Sequence, residues 1–230
     1  MTEPLSPALP APQHPAVPPG LIVIHEDAHL LVLDKPSGLL CVPGRGEDKQ
    51  DCLSARALTR WPDALVVHRL DMATSGLVLM ARSPAVQRAL GDAFAKQEIL
   101  KRYEAIVAGT LAERPKSPDW STIDAPIAAD WPRRPMQKID AAGKASITRW
   151  RALESTLEDA TRLLLEPKTG RTHQLRVHLA SIGHPILGDA LYAGDSARNR
   201  SERLLLHAAV LQFRHPVTGA TMRFESAAPF

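Results

Sequence analysis

The sequence predicts an α+β fold with a largely antiparallel sheet, and three observations support this prediction. Stretches typical of strands outnumber those typical of helices, and most follow one another without the crossover helix that neighbouring parallel strands require. The last two, at 204–214 and 220–225, are joined by a short turn containing Pro and Gly, which is typical of a hairpin. The chain contains neither a GxGxxG motif nor a P-loop, so no pattern indicates a doubly wound nucleotide-binding fold.

The remaining elements are predicted in chain order. Two apolar stretches at 21–25 and 30–34 predict a first hairpin, which ends in a Lys-Pro-Ser-Gly turn at 35–38. Asp51 is a candidate N-cap for a helix that runs to about residue 60.

Two further helices are predicted. Ser83-Pro84 is a typical helix start, and apolar residues at spacings of four follow it. A helix is also predicted at 172–181, with Gly183 as its terminator. Further strands are predicted at 77–81, 103–108, 144–153 and 163–166.

Composition is that of an ordinary globular protein. The 230 residues are 44% hydrophobic and 4% aromatic, which suits one domain with an aliphatic core. Residues 1–20 contain seven prolines and one charged side chain, so we expect a flexible Pro-rich tail at 1–20 and one folded domain at 21–230. Cys41 and Cys52 lack CxxC spacing, and no signal peptide or membrane span is evident, which favours a cytoplasmic protein with reduced thiols.

The basic residues are concentrated in two stretches. Six lie between Trp131 and Arg151 against one acid, Asp140, and 168–178 contains three cations and two histidines with no acid. A single run of this kind is more often a solvated face of the protein. Two such stretches in a chain of net charge +3 favour contact with a polyanion such as nucleic acid.

The stretch 68–76, His-Arg-Leu-Asp-Met-Ala-Thr-Ser-Gly, contains the candidate catalytic carboxylate, Asp71. Taken alone, an aspartate before Thr-Ser-Gly is more typical of a tight turn, in which it bonds to backbone amides. A metal site is not expected, because His173 and His178 lie five residues apart, on different sides of a helix, and no HExxH or CxxC motif accompanies them. At this level the role of Asp71 stays open.

A set of motifs, taken in order, resembles the RluA-type family of pseudouridine synthases over nearly the whole chain after residue 20. The motifs are Leu33-Asp34-Lys35-Pro36-Ser37-Gly38-Leu39, the stretch 68–76, Lys101-Arg102-Tyr103, Gly170-Arg171-Thr172-His173-Gln174-Leu175-Arg176-Val177-His178, Gly183-His184-Pro185-Ile186-Leu187-Gly188-Asp189 and Leu204-Leu205-Leu206-His207-Ala208. The resemblance implies a mixed, mainly antiparallel central sheet with flanking helices and an active-site cleft. It also implies an RNA-modifying isomerase that converts uridine to pseudouridine.

The resemblance further implies roles for four residues. Asp71 matches the essential aspartate, and Arg69 matches the arginine that fills the gap left when the target uridine flips out. Tyr103 matches the tyrosine that stacks on uracil, and Arg176 matches the arginine that pairs with the aspartate. General chemistry agrees, because an extruded base needs a stacking wall and a nearby cation favours an ionised carboxylate. The reaction exchanges a C–N for a C–C bond without net redox change, so no cofactor is expected.

Within the family, the sequence is most similar to the compact dual-specificity member. Many relatives carry an N-terminal RNA-binding domain of the S4 type, and about twenty residues ahead of the first motif are too few for one. The stretches 130–135 and 43–45 also resemble that member. The implied partners are tRNA and 23S rRNA stem-loops, with uridine 32 of tRNA anticodon loops and uridine 746 of 23S rRNA as targets. We expect a monomeric, cytoplasmic enzyme of tRNA and rRNA processing.

Other functions remain open at this point. A non-catalytic RNA-binding protein could keep the fold, although it would not need Asp71, which is present. A glycosylase could use Asp71 to expel the base and would release free uracil. A pseudouridine synthase acting on another tRNA or rRNA site is a third alternative. The spatial expectation is that Asp71, Tyr103 and Arg176 converge in one basic cleft with Arg69 at its mouth.

Overall fold

The computed structural model describes residues 21–111, 120–153 and 158–230, so the expected tail at 1–20 lies outside the described residues. Strands β1 to β12 span, in order, Ile22–Glu26, Leu30–Lys35, Leu65–Val66, Ser75–Ala81, Leu100–Ala108, Ser121–Asp124, Ile127–Ala129, Gln137–Ile139, Ile147–Ala152, Ala160–Pro167, Leu206–Arg214 and Thr221–Glu225. Helices α1 to α4 span Leu53–Leu58, Pro84–Ala95, Gln174–Ser181 and Asp195–Arg198.

Ten of the described strands form one sheet. Its order is β1-β2-β4-β11-β5-β10-β9-β6, with β3 paired to β4 and β12 paired to β11, while β7 and β8 form a separate hairpin. The pairing of β4 with β11 is parallel, and the other strand pairs of this sheet are antiparallel. The predicted α+β fold with a mixed, mainly antiparallel sheet is therefore confirmed, as are the two predicted hairpins.

Helices cover both faces of the sheet, so consecutive residues of β2 and β4 are buried without polar alternation. Leu31 and Leu33 pack with α1 and Trp61 on one face, whereas Leu30 and Val32 pack with α2 on the other. Helix α3 packs on the β5 and β10 part of the sheet. No helix among the described residues is long and apolar enough to cross a membrane.

The start of α2 is as predicted, and the start of α1 is not. The Ser83 side chain accepts a hydrogen bond from the Val86 amide, which is the expected capping geometry. Asp51 does not cap α1, because its carboxylate is exposed and paired with Arg56 at 2.7 Å. The cap is instead Cys52, a fully buried thiol whose Sγ accepts from the third amide of the turn.

Strands β6, β7 and β8 are absent from the sequence prediction. Each has only three or four residues, and prolines at 126, 132 and 135 interrupt the stretch, so no run is long enough to show a strand periodicity. As a consequence, the basic stretch 131–151 falls partly on the β7–β8 hairpin and partly on β9.

Candidate active site

A cleft of about 110 Å³ opens between the hydrophobic cores beneath α1 and α3. Its walls come from the loop before β4, from β5, and from the loop between β10 and α3. The polar and aromatic side chains central to its chemistry are Arg69, Asp71, Lys101, Tyr103, Arg171, His173 and Arg176. The four site residues expected from the sequence thus line one cavity, and its four Arg and Lys side chains favour an anionic ligand.

Asp71 lies on a short loop whose backbone is hydrogen-bonded to side chains of the turn after β2. The fully buried ammonium of Lys35 donates to three carbonyl oxygens at 2.8–3.0 Å, one of which, that of Met72, belongs to this loop. The Ser37 hydroxyl donates to the carbonyl of Ala73 at 2.7 Å. Burial lowers the pKa of Lys35 to about 8. The Lys-Pro-Ser-Gly turn therefore fixes the position of the Asp71 backbone.

Gly76 allows the other end of this loop to approach β11. Its φ is +111°, and a Cβ there would lie 2.4 Å from the carbonyl oxygen of Ala208. The neighbouring Ser75 hydroxyl lies 2.8 Å from Nδ1 of His207 and accepts a hydrogen bond from Arg203 at 2.5 Å. These contacts join the Asp71 loop to the parallel strand pair at the centre of the sheet.

Arg176 lies between two carboxylates. Its Nη1 is 3.5 Å from Oδ2 of Asp71, whereas Nε and Nη2 donate to the two oxygens of Asp189 at 2.8 and 2.7 Å. Asp189 is fully buried, and its Oδ1 also accepts from two backbone amides. Burial alone would lower the pKa of Arg176, but the bonds to Asp189 and the nearby charge of Asp71 raise it. Asp189 therefore holds the arginine, which approaches Asp71 as a fixed cation.

The pairing of Arg176 with Asp71 was expected from the sequence, and the stronger bonds to Asp189 were not. Asp189 stands in the motif 183–189 without any local signal that it is buried or paired with an arginine thirteen residues earlier. A carboxylate that directly follows an apolar run and a glycine was the only hint in the sequence.

Tyr103 forms an apolar wall of the cleft. Strand β5 directs its ring to the junction of the cores beneath α1 and α3. Burial, together with the nearby charge of Asp71, raises the pKa of its hydroxyl well above the ordinary value. The phenol therefore stays neutral, and its ring offers a flat surface for a planar ligand.

His68 and Arg69 are neighbours in sequence with opposite surroundings. Nε2 of His68 accepts from the Leu79 amide at 3.0 Å, and its ring centroid lies 4.5 Å from that of Phe94. Burial, aided by the charge of Lys101, lowers the pKa of His68 to about 3, so the ring is neutral. Arg69 is exposed at the cleft and has no hydrogen-bond or ion-pair partner within the described parts of the chain. The histidine anchors the backbone, and the arginine can reach a ligand.

The loop ahead of α3 is tied to β9 by Gln174. Its side-chain carbonyl accepts from the Arg171 amide and from the Thr169 hydroxyl, and its amide donates to the Ile147 carbonyl and the Thr148 hydroxyl. Because one side chain satisfies groups on both segments, the wall of the cleft between β10 and α3 is well fixed.

The two histidines of this motif lie in different places, as their spacing predicts. His178 is buried, with Nε2 2.9 Å from the carbonyl of Ala125. His173 faces the cleft, with Nε2 3.9 Å from Oδ2 of Asp71 and Nδ1 2.7 Å from the hydroxyl of Tyr192. Its left-handed backbone, with φ of +54°, also makes α3 begin at Gln174, two residues later than predicted. Sequence reasoning did not identify His173 or Tyr192 as site residues.

The β7–β8 hairpin carries an aromatic–cation pair. Trp131 is 66% exposed, the largest fraction for any large hydrophobic side chain among the described residues, and the Arg134 guanidinium lies 3.6 Å from its ring centroid. The backbone amide of Gln137 donates to the Tyr192 hydroxyl at 2.8 Å, which links the hairpin to the wall of the cleft. Such a pair is suited to stacking on a nucleobase near a phosphate.

Comparison with known proteins agrees with this geometry. A family model described as RNA pseudouridylate synthase matches residues 29–181. The dual-specificity RNA pseudouridine synthase RluA of Escherichia coli K12 is 43% identical over 218 residues, covering 94% of this chain and 97% of the relative. That of Haemophilus influenzae is 41% identical with the same coverage. The solved structure of human RNA pseudouridylate synthase domain containing 1 matches with a TM-score of 0.77 at 28% identity, covering 95% of this chain and 87% of that chain.

The match thus extends over most of the sequence and over the fold, including the motifs that line the cleft. The chain therefore belongs to the RNA pseudouridylate synthase family, the enzymes that isomerise uridine to pseudouridine within RNA.

Proposed function

We propose that the chain isomerises uridine in tRNA and 23S rRNA stem-loops with Asp71 as the catalytic carboxylate. The observation that carries the proposal is the setting of this side chain. It is 27% exposed, faces a cationic cleft beside the neutral ring of Tyr103, and has the Arg176 guanidinium 3.5 Å away. The charge of the guanidinium is complementary to the carboxylate that either attack on carbon or acceptance of a proton requires.

The proposed reaction balances without an external reagent. The N1–C1′ bond of the uridine breaks, the uracil turns, and a C5–C1′ bond forms, while C5 loses a proton and N1 gains one. A detached uracil must be held in place during this turn, and stacking on the Tyr103 ring is suited to hold it. The role of Arg176 in this proposal is to fix and charge-balance Asp71.

Arg69 has a separate role in the proposal. A uridine inside a stem-loop hides its glycosidic bond, so the nucleotide must be extruded and its stacking and pairing must be compensated. A planar guanidinium can stack and hydrogen-bond in the vacated place. The exposure of Arg69 and its lack of a partner among the described residues support this role.

The proposed targets are uridine 32 of tRNA anticodon loops and uridine 746 of 23S rRNA. The names of the bacterial relatives support two substrates, since each is called a dual-specificity enzyme. The exposed Trp131 and Arg134 pair supports contact with a splayed base beyond the target uridine.

We further infer a monomeric enzyme that uses neither a metal nor a cofactor, with residues 21–230 as one catalytic domain. Chemistry supports the absence of a metal and a cofactor, since the isomerisation involves no net oxidation and a carboxylate can carry out its proton transfers. Substrates of these classes, tRNA and 23S rRNA, support a cytoplasmic location.

Replacement of Asp71 tests the catalytic proposal. Asp71→Asn keeps the size of the side chain, so we expect a folded protein that binds a tRNA stem-loop and forms no pseudouridine. The matched control is Asp92→Asn, an exposed aspartate on α2, which should turn over like the wild type. Pseudouridine formation by Asp71→Asn at the wild-type rate would exclude Asp71 as the catalytic group. Free uracil, detected by chromatography of the wild-type reaction, would indicate a glycosylase instead.

Mapping of pseudouridine in cells tests the targets. Chemical mapping of tRNA and 23S rRNA should show loss of the modification at positions 32 and 746 when the protein is removed, with restoration by the wild-type chain and not by Asp71→Asn. Retention of both modifications in its absence, with loss at another position, would assign a different target to the same chemistry.

A further inference from the structure

We propose that His173 is a positioning residue for Asp71 and that a hydrogen-bonded relay from Gln137 through Tyr192 sets its orientation and its tautomer. The inference rests on the proposed catalytic role of Asp71. It assigns a function to His173, which lines the cleft, and to its hydrogen-bond partner Tyr192, neither of which the isomerisation itself calls for.

The relay has a direction that can be read from its donors. The backbone amide of Gln137 can only donate, and it donates to Oη of Tyr192 at 2.8 Å. The Tyr192 hydroxyl lies 2.7 Å from Nδ1 of His173, the single acceptor within its reach among the described residues. We infer that the tyrosine accepts from the amide and donates to Nδ1, the arrangement that leaves the proton of a neutral imidazole on Nε2.

The charge states of both rings agree with this direction. Burial raises the pKa of Tyr192, so its hydroxyl keeps the proton that it donates. Burial and the charge of Arg176 lower the pKa of His173. The charges of Asp71 and Asp189 act in the opposite direction and do not outweigh them. A neutral imidazole that accepts at Nδ1 must present an N–H at Nε2.

Nε2 of His173 and Nη1 of Arg176 approach the same oxygen of Asp71. They lie 3.9 and 3.5 Å from Oδ2, so the guanidinium is at the limit of hydrogen-bonding distance and the imidazole is beyond it. A small movement of the imidazole brings its N–H within reach of Oδ2, and this is the contact by which we propose that His173 positions Asp71.

The backbone supports a deliberate placement of His173. Its backbone φ of +54° is in the left-handed region, which residues other than glycine rarely adopt. Its side chain is only 10% exposed. The relay begins on the hairpin that carries Trp131, so two hydrogen bonds connect the segment proposed to contact RNA to the imidazole that faces the carboxylate. Displacement of the hairpin would therefore change the orientation of the imidazole.

A double-mutant cycle tests the relay on a tRNA anticodon stem-loop. Tyr192→Phe removes the hydroxyl and keeps the ring, whose centroid lies 5.1 Å from the Arg176 guanidinium, so this contact is preserved. We expect Tyr192→Phe to lower kcat about fivefold and His173→Ala to lower it about tenfold, with KM unchanged in both, since each change is worth on the order of one hydrogen bond. Because Tyr192 acts through His173, the double variant should match His173→Ala.

A conservative variant separates positioning from simple packing. The carboxamide of His173→Gln can present an N–H near Oδ2 of Asp71, so it should recover most of the kcat that His173→Ala loses. Wild-type kcat in Tyr192→Phe, additive losses in the double variant, or no recovery in His173→Gln would each overturn the relay. Asp71→Asn, assayed in parallel, separates the two proposals: its wild-type turnover refutes the catalytic role of Asp71, whereas its inactivity with unchanged Tyr192 and His173 variants refutes only the relay.

Discussion

The floor of the cleft and its rim are held in opposite ways. At the floor, Lys35, Arg176 and Asp189 are buried, and their charged groups bond to other parts of the protein. At the rim, Arg69 is exposed to solvent, as is Trp131 on the hairpin that Gln137 links to Tyr192. The difference fits the proposed roles: we expect a carboxylate that is fixed before the substrate arrives, which lowers the entropic cost of reaching the transition state, and exposed side chains that can adjust to the RNA.

The largest effect is expected from breaking the floor at Asp189. Asp189→Asn removes a buried charge that holds Arg176 through two bonds, and loss of one partner of such a pair costs about 3–5 kcal/mol. Turnover should fall by more than tenfold, because the arginine is then free to move onto Asp71. Urea unfolding and single-turnover assays measure the two effects. Asp195→Asn, at an exposed ion pair, should leave both unchanged.

Lys35→Met should destabilise the floor less. The substitution removes the ammonium donor from three carbonyl groups, one of them in a buried bond, but it also removes the cost of burying an ammonium group, so we expect a net loss of about 2–3 kcal/mol. Turnover should fall with it because the Asp71 loop loses its support. Lys96→Met, at an exposed position after α2, is the matched control. Equal unfolding midpoints for the two variants would show that Lys35 does not support the Asp71 loop.

Arg69→Ala tests the rim without touching the floor. We expect turnover about tenfold slower on a uridine embedded in a duplex, equivalent to about 1.4 kcal/mol, and a smaller change on one in an open loop. Unfolding should be unaffected, because the side chain is exposed. An equal loss on both substrates would argue against a role in extrusion. Arg198→Ala, on the exposed helix α4, serves as the control.

The smallest effect is expected at the hairpin. Trp131→Ala removes a stacking surface, which is worth about 1 kcal/mol at the lower end of measured values, so RNA affinity should fall about fivefold with kcat unchanged. Trp131→Phe keeps an aromatic face and should retain most of the affinity. Filter binding and steady-state kinetics distinguish these outcomes, and a change in kcat with unaltered affinity would place Trp131 in the chemistry instead.

Much of the fold could be predicted because its signals are local. Ser83 followed by Pro84 marks a helix start in any context, and the hairpins at either end are defined by apolar stretches around short turns. The prediction that Asp51 caps α1 was wrong because its carboxylate pairs with Arg56 instead. Residue type alone does not suggest Cys52, since a thiol is a weak capping group. Tertiary packing, which buries Cys52, decided the cap.

In the candidate site, too, some residues could be predicted from local motifs, and others depend on the tertiary fold. Asp71, Tyr103 and Arg176 were brought together through ordered motifs that carry a family's pattern, and they do line one cavity. Asp189 and Tyr192 could not be identified from the sequence, because their partners lie thirteen and nineteen residues away and the pairing depends on how the loop before α4 folds back. Spacing placed His178 away from His173 but said nothing of the left-handed backbone that turns His173 into the cleft.

The position of β11 in the sheet has a consequence for biosynthesis. This strand, at residues 206–214, lies between β4 and β5 and supplies the partner for both. A ribosome adds about 5–20 residues per second, so the Asp71 loop and β5 are made several seconds before the strand that lies between β4 and β5. Until then Asp71 and Tyr103 lie on segments that lack the strand between them, so we expect catalysis to begin only once residues 206–214 have emerged. Proteolysis that removes this strand would leave two halves and no enzyme, whatever the state of the catalytic residues.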